Sequence, residues 1–544
     1  MPTSRERYDF VIVGSGFGGS VSALRLAEKG YSVLVLEKGR RFAPDDFPKS
    51  NWNLPRWLWM PALNFRGLFK MTFFRHVTVF SGVGVGGGSL VYANTLPIPK
   101  EEFFRSGSWA GLRDWAAELA PHYKTARRML GAARVPITTH ADRLLLEIAG
   151  DLGRADKYEP TDVAVYFGEK GKTVSDPFFG GEGPDRTGCE LCGGCMLGCR
   201  HNAKNTLDKN YLFLAEKRGV TVVPQTEVTA VRPQAGGGYV LEATTWTGAF
   251  GRSEHTYQAD NVILAGGVLG TVDLLLKMKE DPNGLPGLSP RTGEFVRTNS
   301  EALIGVVTGD SKLDLSTGVA ITSILHTDDH SHVEPVRYPK GSGFFRLLVT
   351  PYSEGPNLFV RLGRAIGSAL RHPIKYVKYL TVWDFAKSST ILLYMRSLEG
   401  TLTFRRGRDL GNGFQTGLVT TLAPGAEAPT AFIPEAGDLA RRFAEKLDGV
   451  AATLFTEILA GIPSTAHILG GACIGKSAEE GVIDAEHRVH GYPGLYVIDG
   501  AAMSANPGVN PSLSITAMAE LAMTRVAPKP GATLPAKALI VAVE

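Results

Sequence analysis

Phe10-Val11-Ile12-Val13-Gly14-Ser15-Gly16-Phe17-Gly18-Gly19 is the stretch on which the fold turns. Four apolar residues run into a G-x-G-x-x-G, and segment 20–29 behind it carries Val21, Leu24 and Leu26 at helical spacing before Gly30 ends it. Val33-Leu34-Val35-Leu36 comes next, apolar at every position as a strand buried on both faces must be, and Glu37 closes it. The spacing predicts one strand–helix–strand unit. In such a unit Gly14 permits the tight turn, Gly16 lets backbone approach a pyrophosphate, and Gly19 lets helix and strand pack closely. The helix N-terminus favours phosphate charge, and an acid at Glu37 can hold a ribose diol. A glycine turn alone can be merely structural; the complete context makes a dinucleotide site the stronger reading.

Two later passages repeat the pattern. Strand 261–265 leads into Gly266-Gly267 and an apolar helix over 269–277, and strand 495–498 leads to Asp499 and a helix from about 512 to 525. Three such passages, far apart in the chain, predict an α/β fold with one Rossmann-like sheet domain assembled from segments 1–100, 201–310 and 461–527. Segments 101–200 and 311–460 would form a second, α+β domain with a large mixed sheet, and 528–544 a Pro- and Ala-rich tail. The length of 544 residues suits two such domains. A charged fraction of 21% with 44% hydrophobic residues excludes a disordered or fibrous chain. The net charge of +4 comes without any run of like charges, so no nucleic-acid partner is expected. No apolar leader or long apolar window is seen, which makes the cytoplasm the expected address. Glycine stands out at 64 residues, above the usual share of about 7%.

Much of that excess lies in Gly82-Val-Gly84-Val-Gly86-Gly87-Gly88-Ser89-Leu-Val-Tyr-Ala-Asn94. So many glycines pack no regular element, and a close approach of backbone to a flat or phosphorylated ligand explains them better. Three blocks near the C-terminus accompany this loop: Thr465-Ala-His467-Ile-Leu-Gly470-Gly471, Leu495-Tyr-Val-Ile-Asp499-Gly500 and Pro507-Gly-Val-Asn510-Pro511-Ser512. In order and spacing, the loop and the three blocks resemble the glucose-methanol-choline (GMC) flavoprotein oxidoreductases, in the branch of the cholesterol oxidases.

The resemblance implies FAD as the cofactor, held by Gly14, Gly16, Gly19, Glu37, Gly82, Gly86, Gly87, Ser89, Asn94, Ala265, Gly266, Asp499, Pro511 and Ser512. His467 and Asn510 are implied as the catalytic pair facing the flavin and the substrate hydroxyl. A helix starting just after Pro511 would aim free N–H groups at the flavin carbonyl. The implied reaction oxidises CH–OH to C=O in a bulky apolar alcohol, sterol-like or another lipid, by hydride transfer to flavin N5. The branch also uses a glutamate as base, which no motif places here. Asp384 and Glu301 are the nearest candidates, and both read more simply as surface or capping acids.

Cys189, Cys192, Cys195 and Cys199 form a C-x2-C-x2-C-x3-C run with the spacing of bacterial iron–sulfur segments. An iron–sulfur cluster, zinc and no metal at all stay open as readings. A cluster would make the protein a dehydrogenase feeding an electron carrier; without one, dioxygen is the expected oxidant. Segments 52–69 and 372–383 mix large apolar side chains with Arg and Lys. They could dip into a bilayer as a peripheral membrane contact or line the substrate cavity. A flavin-binding lipid carrier is the non-enzymatic alternative.

Overall fold

A computed structural model of the protein describes residues 7–248, 251–423, 425 and 427–532. Two seven-stranded sheets organise it. In the first, the strands Thr221–Val223, Val33–Leu36, Arg7–Val13 and Arg252–Leu264 lie side by side in parallel, and Leu495–Val497 joins the far side of Arg252–Leu264. An antiparallel hairpin, Thr226–Pro233 and Tyr239–Trp246, completes it. The register matters more than the order. Val13 pairs with both Leu36 and Leu264, and Leu264 with Val497, so four parallel strands stop level with one another. The residues just beyond the strand ends therefore meet at one edge: Gly14, Glu37, Ala265 and, two residues past Val497, Asp499. Ligands of open α/β sheets bind at this carboxyl edge.

The strands are level because their neighbours are buried alike. Val11, Ile12, Leu34, Val35, Val262, Ile263 and Leu495 lose nearly all solvent contact in one core, which the helices Phe17–Glu28, Gly267–Glu280 and Ser512–Thr524 help to close. The one charged residue of helix Ser512–Thr524 is Glu520, which takes both Nε and Nη2 of Arg25 at 2.8 Å and the Tyr211 hydroxyl at 2.6 Å. A buried carboxylate with three such donors is satisfied and fixes the helix against the sheet.

The second sheet runs Val349–Pro351, Gly449–Leu454, Ala302–Thr308, Ser389–Arg396, Ser331–Val336, Ser323–His326, Tyr158–Pro160. Every pairing in it is antiparallel, so of these two sheets the first alone mixes strand directions. Alternation sorts its side chains. Ile304, Val306, Leu392, Tyr394 and Val333 pack under helices His140–Asp151 and Pro434–Lys446. Leu303, Val307, Ile391, Leu393 and Val336, one step out of phase, line the cavity between the sheets.

The domain boundaries differ from the expected ones in three places. Strand Ala302–Thr308 belongs to the second sheet. Trp109, Trp115 and Leu119, and likewise Leu402 and Phe404, belong to the core of the first. Of the expected tail, Lys529 binds back to Asp9 at 2.6 Å, and 533–544 lie outside the described residues. Among the described residues no helix is long and apolar enough to cross a membrane.

Candidate active site

One cavity of about 450 Å³ extends from the carboxyl edge of the first sheet to the apolar face of the second. Gly14, Gly16, Glu37, Gly82, Gly87, Asn94, Ala265, Gly266, Asp499, Pro511 and Ser512 all line it, as do His467 and Asn510. The glycines divide by role. Gly14 has a φ of 99°, and a Cβ on it or on Gly18 would strike the Ala265 or Ile498 carbonyl, so these two close the strand-to-helix turn. Gly16 and Gly88 would meet only the edge of a neighbour at 4.0 and 3.7 Å, which leaves backbone bare toward the cavity.

Gly19, Gly86 and Ser89, implied as cofactor contacts, do not line the cavity. A Cβ on Gly19 would collide with the Gly14 carbonyl. The Gly86 N–H donates to Ser15 Oγ at 3.1 Å, and Ser89 Oγ donates to the Gly86 carbonyl and accepts from Leu207 N at 3.0 Å. They build the loop that others present. Glu37 is likewise engaged: it accepts from Ser15 N and Oγ at 3.0 and 2.7 Å and from Gly39 N at 2.8 Å, which ties the first glycine loop to the turn after strand Val33–Leu36.

The residues present fit a dinucleotide with a polar, flat end. Both amide atoms of Asn94 and the hydroxyl of Ser512 are buried with no protein partner, and all three belong to cavity-lining residues. Buried polar atoms left over in this way call for a polar ligand. Asp499 is spoken for, accepting from Thr271 Oγ1 at 2.5 Å and Ala501 N at 2.8 Å. Burial pushes its carboxyl up to about 6 against those bonds.

At the other end of the cavity two carboxylates take charge of the expected pair. Glu301, wholly buried, lies 2.6 Å from His467 Nδ1 and accepts from Ala466 N as well. This corrects its reading as a surface or capping acid. Its negative charge fixes the proton on Nδ1 and leaves the Nε2 lone pair as the free one. Burial works against a charged imidazole here, but Glu301, helped by Glu334, outweighs it and raises the His467 pKa above its ordinary value. Glu334 was not singled out in the sequence. It is fully buried in strand Ser331–Val336, and the Asn510 amide nitrogen, turned toward it, donates to Oε1 at 2.9 Å and Oε2 at 3.3 Å. The carboxamide oxygen of Asn510 is then the atom left to accept. Asp384 does act as a cap, accepting from Gly341 N and Lys387 N.

Residues 183–278 and 426–519 match the description of the GMC oxidoreductases, and residues 12–45 that of an NAD(P)-binding Rossmann-like domain. A cholesterol oxidase of Mycobacterium tuberculosis is 46% identical over 527 residues, which are 95% of this chain and 90% of that one. The chain belongs to the GMC oxidoreductase family. It is an FAD-dependent oxidoreductase acting on alcohols. A cholesterol oxidase of Acinetobacter baumannii is 43% identical over 97% of this chain and 96% of its own length. The crystal structure of pyridoxine 4-oxidase from Mesorbium loti shares the fold, with a TM-score of 0.60 over 95% of this chain and 98% of that one at 16% identity.

Two further regions of this GMC oxidoreductase were singled out in the sequence. Of the two aromatic and basic segments, the first is partly core: Trp57 is fully buried and stacked on Phe69, while Trp52 and Leu63 stay exposed. The four clustered cysteines carry no disulfide, and among the described residues no three His, Cys, Asp or Glu side chains close around a single metal ion.

Proposed function

We propose that this protein oxidises the hydroxyl of a sterol-like alcohol to the ketone and passes the electrons to dioxygen. The observation that carries this reading is the meeting, in one cavity, of the His467–Glu301 and Asn510–Glu334 pairs with an apolar sheet floor. Bound FAD supplies the hydride acceptor. His467 Nε2, its lone pair held free by Glu301, takes the hydroxyl proton. The Asn510 carboxamide, oriented by Glu334, borders the same hydroxyl and limits the angle at which it meets His467. Leu303, Val307, Ile391 and Leu393 offer a flat apolar bed, and Gly305 between the first two adds no side chain to it. That bed excludes water and suits a rigid fused-ring body better than a short polar alcohol. The two relatives named cholesterol oxidase support both the substrate class and the acceptor.

Anaerobic mixing of the yellow holoenzyme with sterols, terpenols and short alcohols tests the reading. Rapid bleaching by sterols, followed by peroxide release in air, is expected. Bleaching by short alcohols alone overturns the substrate, and bleached enzyme that air does not reoxidise overturns the acceptor.

The same reading extends to lipid surfaces, where such a substrate resides. Helices Leu358–Arg371 and Pro373–Thr381 show a row of apolar side chains to solvent: Phe359 is 83% exposed, Leu370 77%, Ile374 72% and the nearby Trp383 98%. Residues 358–383 hold no Asp or Glu but carry Arg364, Arg371, Lys375 and Lys378. Lys375 is paired with Asp448 at 2.7 Å, and the apolar side chains among Arg364, Arg371 and Lys378 match an anionic bilayer. Phe385, two residues beyond Trp383, lines the cavity. Co-sedimentation with phosphatidylserine-containing vesicles is expected, lost in Leu370→Asp/Trp383→Asp. Equal binding by that variant refutes the assignment.

A further inference from the structure

The register of the second sheet gives the cavity floor a length. Leu303 pairs with Leu393 and Leu393 with Glu334; the next row out is Gly305, Ile391 and Val336, and in the row beyond Val307 pairs with Ser389. The first row holds Glu334 and begins two residues after Glu301, so it marks the end of the floor where His467 and Asn510 meet the substrate hydroxyl. Strand Ser331–Val336 stops at the second row, and Tyr338 lies two residues further, on the side of the third. Four residues of extended chain put Tyr338 about 13 Å from Glu334, at roughly 3.3 Å per residue. Leu, Ile and Val side chains line the floor between them.

The remote end is polar again. Residues 339–342 form a turn, closed by Ser342 N on the Pro339 carbonyl at 3.0 Å with Gly341 at φ 82°, so Tyr338 and Ser342 leave the chain close together. Both line the cavity, and so does Asn51. Tyr338 packs its ring 5.4 Å from that of Phe345, and among the described residues its hydroxyl makes no hydrogen bond; burial alone raises its pKa. Ser342 is 2% exposed and its Oγ is buried with no partner. Asn51 is 1% exposed; its Oδ1 accepts from Gly343 N and Phe344 N at 2.9 and 3.0 Å, and its Nδ2 has no partner among the described residues. The turn that carries these groups is held in place, since Ala386 N donates to the Ser342 carbonyl at 3.1 Å and Gly341 N to Asp384 Oδ2 at 2.9 Å. Polar groups buried without partners are destabilising, and where they line a cavity they call for a polar ligand. All three are uncharged and can donate, which suits an uncharged acceptor.

We propose that Tyr338, Ser342 and Asn51 bind a second oxygen of the substrate, a ketone or a hydroxyl, at the end remote from the hydroxyl that is oxidised. The substrate class is then a fused-ring alcohol oxygenated at both ends, and these three side chains select it without touching the reacting atoms. The proposal rests on the sterol-like reading above and narrows it. An apolar cavity with a few fixed polar groups is the usual way a site sets orientation, and here the second contact would fix which end of the ring system enters first.

The test uses the FAD-loaded full chain and two probes that differ by one carbonyl oxygen, 3β-hydroxyandrost-5-ene and 3β-hydroxyandrost-5-en-17-one. Anaerobic flavin bleaching gives a limiting rate and a half-saturating concentration for each. The ketone makes its probe less apolar, so a cavity without a polar contact would favour the other one. The expected result is the reverse: the ketone half-saturates at about tenfold lower concentration with a similar limiting rate, and Tyr338→Phe brings the two concentrations together. Ser342→Ala should narrow the gap as well, and it carries the test if Tyr338→Phe does not fold. Half-saturation of the native enzyme by both probes alike, or tighter binding of the probe without the ketone, overturns the proposal. So does a preference for the ketone that survives both substitutions. Bleaching by neither probe would defeat the sterol-like reading itself, and this proposal with it.

Discussion

Replacing Glu301 by Gln removes one negative charge and leaves the shape of the pocket. In the native site its carboxylate holds His467 Nδ1 at 2.6 Å with no exposure to solvent, so water does not screen the loss. A hydrogen bond to a charged group contributes about 1.5–3 kcal/mol. Each 1.4 kcal/mol is about tenfold in rate, so the substitution should lower the limiting rate of flavin reduction by about 10- to 100-fold. The sign of the pH effect comes from the role of the ring. A base must be unprotonated, so the rate rises with pH through the His467 pKa, which Glu301 holds above its ordinary value. Without that charge the pKa falls, and the acid limb of the profile moves down by about one unit or more. The assay is stopped-flow anaerobic reduction across pH, with FAD content measured on each sample. An acid limb and plateau that both stay in place would refute the assignment of His467 Nε2 as the base. A rate loss that merely tracks lost FAD would show Glu301 to be structural. Glu301→Asp, which restores charge at a longer reach, should recover the limb more fully than the plateau.

Other substitutions separate framework from function. Gly18→Ala should abolish soluble folded protein, because its Cβ would land on the Ile498 carbonyl, whereas Gly16→Ala should fold, with thermal unfolding near that of the native apoprotein, and retain FAD poorly. Glu334→Gln should cut the reduction rate about tenfold with KM little changed, since it weakens the hold on the Asn510 amide and removes a second charge felt by His467; a change confined to KM would contradict this. Burial pushes Glu457, bonded to Thr453, up from 4.5 to about 7, so the folded state holds that proton more tightly and stability is lost as pH rises between those values. Glu457→Gln should therefore stabilise the protein by up to about 3 kcal/mol at pH 8 and by nothing at pH 4, measured by urea unfolding. An equal effect at both values would refute the linkage.

The first sheet was readable because its chemistry is local. A strand that runs at once into a G-x-G-x-x-G fixes strand, turn and helix within about twenty residues, and the same grammar recurs at 261–267 and 495–500. The register that stops Val13, Leu36, Leu264 and Val497 level is not local, but it emerges once strands of similar burial are laid parallel. The second sheet offered no such grammar. Its strands alternate one face under helices with one face on a ligand cavity, and both faces are apolar. The period-two signal that would mark Leu303, Ile304 and Val306 as strand therefore disappears. The boundaries erred for the same reason: Trp115 and Phe404 are apolar residues with nothing in the local pattern to say which core they enter.

His467 and Asn510 were found through their glycine- and proline-marked surroundings, which are constraints on backbone. Glu301 and Glu334 have no such markers, and their importance arises from pairing with residues far along the chain. Even so, Glu334 left a trace. An acid in the middle of Ser331-His-Val-Glu-Pro-Val, buried at every position, violates the rule that a lone carboxylate avoids the interior. Such a violation persists only where a partner compensates it, and here the partner is the Asn510 amide that the chemistry needs oriented.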